Sequence, residues 1–446
     1  MPLSAETFLS QHHLNVGDRV RVVWKNMPIE GVVLPQPKPN ESFLHLKLVS
    51  GYNAGFGVAY ISNAEKIPGA VENFASTPTS GVSVDGVASA HPSSEGKPGL
   101  SLISVGGTIG SKVDYKHAGV SALLTPEELT ALIPEIGSFA HFHSILSPFS
   151  KLSENLTPQD WVTIATICAQ ELNKPQVKGV LLTHGTDVLH YTAAALSFML
   201  GNVNKPVVLV GSQRSSDRGS SDATMNLICA AHTALSDVAE VGICMHGTTS
   251  DEYCLFIRGT KVRKMHSSRR DAFRPINDVP FAQIFPDGKM NMVSEHRSRD
   301  DARKVVVDAV FDNSVVSIKY VPGRKPDTME YHLSRGAKGF VIEGTGLGHV
   351  SDEWIPFIQK ATDQHVPVFV TTQAIYGRVN LNVYSTGRKM QVAGAVGLED
   401  MLSEVAYVKL GWVLSHTKDP AKVKEMMLTN YAGEISLVSR ADTFLN

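Results

Sequence analysis

Cysteine is scarce in this chain: its 446 residues hold four, Cys168, Cys229, Cys244 and Cys254. Secreted domains stapled by disulfides carry far more, and metal-binding cysteines come in closer pairs than these spacings offer. Both classes are excluded, and the thiols are expected to be buried in a reducing compartment, the cytoplasm. A dominant charge is missing too, because 41 Lys and Arg face 43 Asp and Glu for a formal net charge of −2. With no global basic field, any nucleic acid would have to be held by a local patch or by a partner. Nor is there a long apolar run: the most apolar helix-like stretch, residues 193–200, falls far short of the ~20 residues that a bilayer requires. No membrane contact is expected. The chain opens Met1-Pro2-Leu3-Ser4-Ala5-Glu6, without the basic start and apolar stretch of a secretory signal.

What is present is an ordinary globular composition, 43% apolar and 19% charged, long enough for two or three domains at roughly 100 to 200 residues each. Residues 76–98 are Ser, Pro, Gly and Ala with almost no large apolar side chain, and read as a linker because such a segment cannot bury enough surface to order itself. Ahead of it, within residues 1–75, segments 19–24, 31–34 and 43–49 cluster or alternate apolar residues in β fashion between Gly, Pro and Asn. They predict a small β-barrel domain, with Trp24 as a core or rim residue. After the linker, strand and helix patterns alternate. Strands are expected at 100–105, 179–183, 206–211, 241–245, 304–309, 339–343 and 366–371, and a helix from the N-cap Thr125 with Pro126 and Glu128 behind it. This alternation predicts two doubly wound, mainly parallel α/β domains, residues 99–295 and 304–446, divided by the polar stretch 296–303.

Several motifs fail a closer reading. Gly344-Thr345-Gly346-Leu347-Gly348 follows a strand, but its last glycine comes one place early for a dinucleotide fingerprint and no phosphate-loop Lys-Ser/Thr pair follows. No cofactor is expected in this chain. His141 and His143 lack a nearby third ligand, so no metal is expected either. A Ser-His-Asp triad lacks its Gly-x-Ser-x-Gly elbow.

Two loops remain, each placing a threonine directly after an apolar strand run: Leu102-Ile103-Ser104-Val105-Gly106-Gly107-Thr108 and Val180-Leu181-Leu182-Thr183-His184-Gly185-Thr186-Asp187. In open α/β sheets ligands sit beyond the carboxyl ends of the strands, so both hydroxyls are aimed at one edge. Flanking glycines allow sharp turns and leave the backbone bare, as acyl transfer needs for a nucleophile beside an oxyanion hole. Either threonine alone is equally well explained as a loop hydroxyl capping a helix, and Lys264, with Lys261, Arg263, Arg269 and Arg270 around it, as part of a solvated basic run.

Together these loops, with Val210-Gly211-Ser212-Gln213-Arg214, Ser221-Asp222-Ala223, Asn226-Leu227, and Arg258-Gly259 leading to Lys264, His266 and Asp271-Ala272-Phe273, resemble the bacterial-type L-asparaginase/glutaminase family over roughly residues 98 to 420. The extra N-terminal domain, Ser153-Glu154-Asn155-Leu156 running to Asp160-Trp161, the Glu343 to His349 loop and the charged tail narrow the resemblance to the glutaminase subunits of archaeal Glu-tRNA(Gln) amidotransferases.

The resemblance implies roles. Thr108 would be the acyl-forming nucleophile and Tyr115 a lid tyrosine that takes or relays its proton. Lys264 would act as the base, completing a triad with Thr186 and Asp187. Ser153 would hold the substrate α-carboxylate, and Glu154 and Asp187 the α-ammonium, with Gly107 and Gly185 lining the pocket. Glu154 stands where the family often has glutamine; His349 is left as a residue behind the site. The implied substrate is glutamine and the implied assembly a homodimer within a heterotetramer. Its second subunit would bind tRNA(Gln), use ATP and Mg²⁺ to activate the tRNA-borne glutamate, and receive the ammonia. A stand-alone asparaginase is the alternative.

Overall fold

The computed structural model describes residues 4–34, 42–48, 53–67, 96–107, 111–114, 119–122, 135–214 and 221–444. The chain forms two compact units, one of Met1–Ser93, Gly110–Leu124 and Arg214–Ser221, the other of Ser94–Ile109, Thr125–Gln213 and Asp222–Asn446.

The first unit opens with a short helix, Ala5–Gln11, capped by the Ser4 hydroxyl. Five strands follow: β1 (Arg19–Trp24), β2 (Met27–Val33), β3 (Phe43–Leu48), β4 (Asn53–Gly57) and β5 (Ile61–Lys66). They form one sheet in the order β4-β3-β2-β1-β5, antiparallel at every pairing. Alternation in β1 and β3 sends Val20, Val22, Leu44 and Leu46 inward onto Phe8 and Phe56, which gives the sheet its own core. Trp24 packs edge-on against Phe56 at the margin of that core. A hairpin of β7 (Ser111–Asp114) and β8 (Gly119–Ala122) also belongs to this unit.

The second unit holds two sheets. Strands β6 (Gly99–Ser104), β9 (His141–Leu146), β10 (Val177–Thr183), β11 (Val207–Val210) and β12 (Val241–His246) run parallel in the order β9-β6-β10-β11-β12. Strands β13 (Cys254–Arg258), β16 (Ala282–Ile284) and β17 (Met290–Met292) extend this sheet antiparallel. Every residue of β6, β11 and β12 is buried, as expected for strands covered on both faces. A separate two-stranded piece, β14 (Val262–Lys264) with β15 (Phe273–Pro275), stands apart from the large sheet. The second sheet is fully parallel: β18 (Val315–Lys319), β19 (Gly339–Gly344), β20 (Val368–Thr372) and β21 (Ala395–Gly397). The helix Ser403–His416 packs its buried face into the larger core.

The four cysteines are free and buried. One expected strand is absent: residues 304–309 are irregular. Val305 is buried there, but Val306 is 84% exposed, and the Asn173 side chain, not a neighbouring strand, bonds both the N–H and the carbonyl of Val305. The predicted helix from Thr125 and nearly all of the linker lie outside the described residues. Among the described residues no helix is long and apolar enough to cross a membrane.

Candidate active site

Parallel neighbours β6 and β10 place the two threonine loops side by side. Thr183 pairs with Ser104 at their carboxyl ends, and the next step is a hydrogen bond from Val105 N–H to Thr183 O at 3.1 Å. Both glycines of the first loop have positive φ, +106° at Gly106 and +95° at Gly107, a conformation that costs glycine little and other residues much. Space is also closed at both. A Cβ on Gly106 would meet the Lys151 oxygen at 2.4 Å, and one on Gly107 would meet the Gly185 nitrogen at 2.2 Å. Gly185 in turn touches Ser153, whose Cβ and Oγ would lie 2.8 and 2.9 Å from an added Cβ. Gly107, Gly185 and the buried Ser153 therefore form one continuous surface, while Glu154, next along, is exposed. Thr108 and Tyr115 lie outside the described residues.

Thr186 and Asp187 follow Gly185 at the entry to the helix Leu189–Met199. Lys264, the last residue of β14, donates to Thr186 Oγ1 at 2.9 Å and to Asp187 Oδ1 at 2.7 Å. The side chains differ sharply in exposure, 9% for Lys264 and 65% for Asp187, so the ammonium is sheltered and the carboxylate faces outward. The basic run around Lys264 resolves into separate ion pairs. Lys261 meets Asp400, Arg263 meets Glu404, Arg269 meets Asp271 and Arg270 meets Asp251.

Residues that the sequence reading passed over hold this geometry. His184 is fully buried, with Nδ1 2.6 Å from Gly185 O and Nε2 2.9 Å from Thr192 Oγ1. A carbonyl can only accept, so Nδ1 carries the proton; Nε2 then accepts from Thr192, whose oxygen accepts from Trp161 Nε1 at 3.1 Å. Burial pushes the His184 pKa down to about 4, so the ring is a neutral brace. His190 is also held neutral, pushed down to about 3 by burial first and then by Arg263 and Lys264. Beneath Thr186 lies Gly211, where a Cβ would meet the Thr186 methyl at 2.9 Å. The Gly211 carbonyl accepts from Asn226 Nδ2 at 3.0 Å, and Asn226 Oδ1 is bonded by the buried His246. Gly211, held by Asn226, thus forms the floor under the threonine.

The first loop is braced from outside. Lys151 N–H bonds Val105 O at 3.0 Å, and its ammonium reaches Asp160 at 2.7 Å. Burial would raise the Asp160 carboxyl, but Lys151 and the Thr157 donors outweigh it and hold it below its ordinary value. Thr157 and Asp160 also start the helix Pro158–Leu172, as N-cap and third residue of a capping box. His349 lies in a tight turn closed by Thr345 N–H to His349 O at 2.8 Å, with its ring edge-on to Tyr384. Among the described residues no group of three or more His, Cys, Asp and Glu could hold a metal ion.

A lysine amine that meets both a hydroxyl and a carboxylate can, as the free base, take a proton from that hydroxyl or from a water relayed through it. Comparisons with known proteins point the same way. Residues 99–298 match the family described as Asparaginase, N-terminal, residues 314–427 match the Glutaminase/Asparaginase C-terminal domain, and residues 14–67 match the GatD N-terminal domain. The chain is 49% identical to the D-type subunit of the glutamyl-tRNA(Gln) amidotransferase of Thermococcus kodakarensis, with 100% of both chains covered. It is 43% identical to the corresponding D-type subunit of Sulfolobus acidocaldarius, over 99% of this chain and 96% of that one. Among solved structures, the thermostable L-asparaginase from Thermococcus kodakarensis superposes with a TM-score of 0.67 at 30% identity, covering 76% of this chain and 99% of its own. L-asparaginase I from Vibrio cholerae gives 0.66 at 26% identity, covering 76% and 100%.

Proposed function

Because the chain belongs to the family of D-type glutamyl-tRNA(Gln) amidotransferase subunits, we propose that it is the glutaminase component of such an enzyme. It releases ammonia from glutamine for use by a partner subunit. One observation carries the chemistry: Lys264 meets both Thr186 and Asp187 beside a surface where the residue before Thr108 abuts Gly185. The likeness to the D-type subunits over the whole length, N-terminal module included, carries the coupling.

In this reading the Thr108 hydroxyl adds to the side-chain amide carbon of glutamine, passing its proton to the leaving nitrogen through Tyr115 as ammonia departs. Water then attacks the threonine ester. Lys264, as the free amine, takes a proton from that water through Thr186 and returns it to the Thr108 oxygen as the ester bond breaks, so glutamate leaves and the Thr108 hydroxyl is restored. Ser153 receives the substrate α-carboxylate, and Asp187 with Glu154 receives the α-ammonium. The second subunit holds tRNA(Gln), ATP and Mg²⁺, and the working assembly is a homodimer of this chain within a heterotetramer.

The test is ammonia release from glutamine and from asparagine, by this protein alone and then with its co-purified partner, ATP, Mg²⁺ and glutamylated tRNA. Weak glutamine hydrolysis that rises sharply with partner and charged tRNA supports the reading. Fast asparagine hydrolysis unchanged by tRNA makes the chain a free asparaginase.

A further inference from the structure

The base of the proposed reaction sits on a weakly founded element. Strand β14 has three residues and, among the described residues, pairs with β15 alone; a lone two-stranded hairpin is marginally stable at best, and this one is anchored by Val262 and Phe273 in the larger core. Arg274 of β15 donates to Gly247 O at 2.9 Å on the large-sheet side, but the strand that carries Lys264 is gripped from the C-terminal half. Thr260 Oγ1 donates to Ala432 O at 2.8 Å. Lys261 meets Asp400 Oδ2 at 2.7 Å, with both side chains buried. Arg263 Nη2 meets Glu404 Oε1 at 2.9 Å. At the foot of β15, Asn277 bonds the Gly377 N–H and carbonyl at 2.9 and 3.0 Å.

Asp400 and Glu404 are themselves fixed. Asp400 Oδ1 accepts from Ser436 N at 2.8 Å, and Arg378 Nη2 holds Ser436 O at 2.5 Å, so the C-terminal tail is tied to the same carboxylate. Glu404 lies in the first turn of the Ser403–His416 helix, and the preceding Ser403 hydroxyl is 2.8 Å from Thr371 Oγ1 of β20. Breaking a buried ion pair costs far more than its net worth, and such pairs are best attested as devices that fix one arrangement against others.

We propose that Asp400 and Glu404 are positioning residues for amide hydrolysis. Through Lys261 and Arg263, three positions and one position from Lys264, they hold β14 where the Lys264 ammonium reaches Thr186. Among the described residues the C-terminal half supplies no group to the Lys264, Thr186 and Asp187 contacts, yet it sets their alignment. This rests on the role given to Lys264 above.

Glu404→Gln keeps shape and removes charge, so it is the first variant; Arg263→Met removes the other partner. Each full-length protein, with its partner subunit, is assayed for ammonia release from glutamine, with thermal unfolding measured alongside and Lys264→Ala as reference. Misplacing a reacting group by about an ångström can cost on the order of 100-fold. The expected result is therefore a fall in kcat of about 10- to 100-fold with KM nearly unchanged, larger than any drop in unfolding temperature explains at the assay temperature, and a double variant no worse than either single one. An unchanged kcat in both variants, with Lys264→Ala inactive, overturns the positioning role and leaves the function standing. A kcat loss that merely follows the unfolded fraction at the assay temperature also overturns it. If Lys264→Ala itself turns over normally, the functional reading fails first.

Discussion

Gly107 and Gly185 meet so closely that a Cβ on the first would lie 2.2 Å from the nitrogen of the second. Neither loop can keep its course if Gly107 gains a methyl group, and its φ of +95° disfavours any other residue. Gly107→Ala is expected to abolish ammonia release while most of the fold survives, as circular dichroism would show. Activity near that of the parent protein would mean that the contact is dispensable.

Lys264→Ala and Thr186→Val should each lower ammonia release by several orders of magnitude, as happens when members of a reacting unit are removed. Lys264→Arg should fail as well, because a guanidinium cannot serve as a base near neutral pH. Recovery by arginine in a steady-state assay would point to a charge-placing role instead.

The His184 brace predicts a pH dependence of stability. Its folded pKa, about 4, lies below the ordinary 6.5, so between these values the unfolded chain binds a proton that the folded one refuses. Stability from this group is complete above pH 6.5 and is lost as the pH falls toward 4, by about 3 kcal/mol in all at ~1.4 kcal/mol per unit. His190, held lower still at about 3, acts in the same direction. Urea midpoints for the parent and His184→Gln between pH 7.5 and 4.5 should converge as the pH falls. Parallel curves would refute the assignment.

Lys409 and Glu434 form a pair with neither side chain exposed, 2.6 Å apart, and Glu434 also accepts from the N–H groups of Tyr431 and Ala432. Lys409→Met leaves that carboxylate without its cation, which should destabilise the protein by about 3–5 kcal/mol. Denaturant unfolding measures it; a loss under ~1 kcal/mol would show that Glu434 does not depend on the Lys409 cation.

Much of this was legible in the chain. The apolar runs that became β6, β10, β11, β12, β19 and β20 are buried on both faces, so their composition announced them. Strand β14 escaped notice because Val-Arg-Lys has no β periodicity of its own; its shape comes from Phe273 and Arg274 across the hairpin and from partners more than a hundred residues away. Residues 304–309 failed in the opposite direction, since Val305, Val306 and Val307 look like a strand yet find no sheet edge. Lys264, Thr186 and Asp187 were read from resemblance. The roles of His184 and Glu404 could not be read in that way, because a buried polar residue shows its purpose only through its hydrogen-bond partners.

The two asparaginase-type matches end and begin at residues 298 and 314, a seam at which one would naturally expect to exchange modules between relatives. The grip of Asp400 and Glu404 on β14 crosses that seam. A chimera joined there would inherit every residue of the Lys264, Thr186 and Asp187 cluster from one parent and the means of aligning them from the other. In that reading the unit that builds this site is larger than either match.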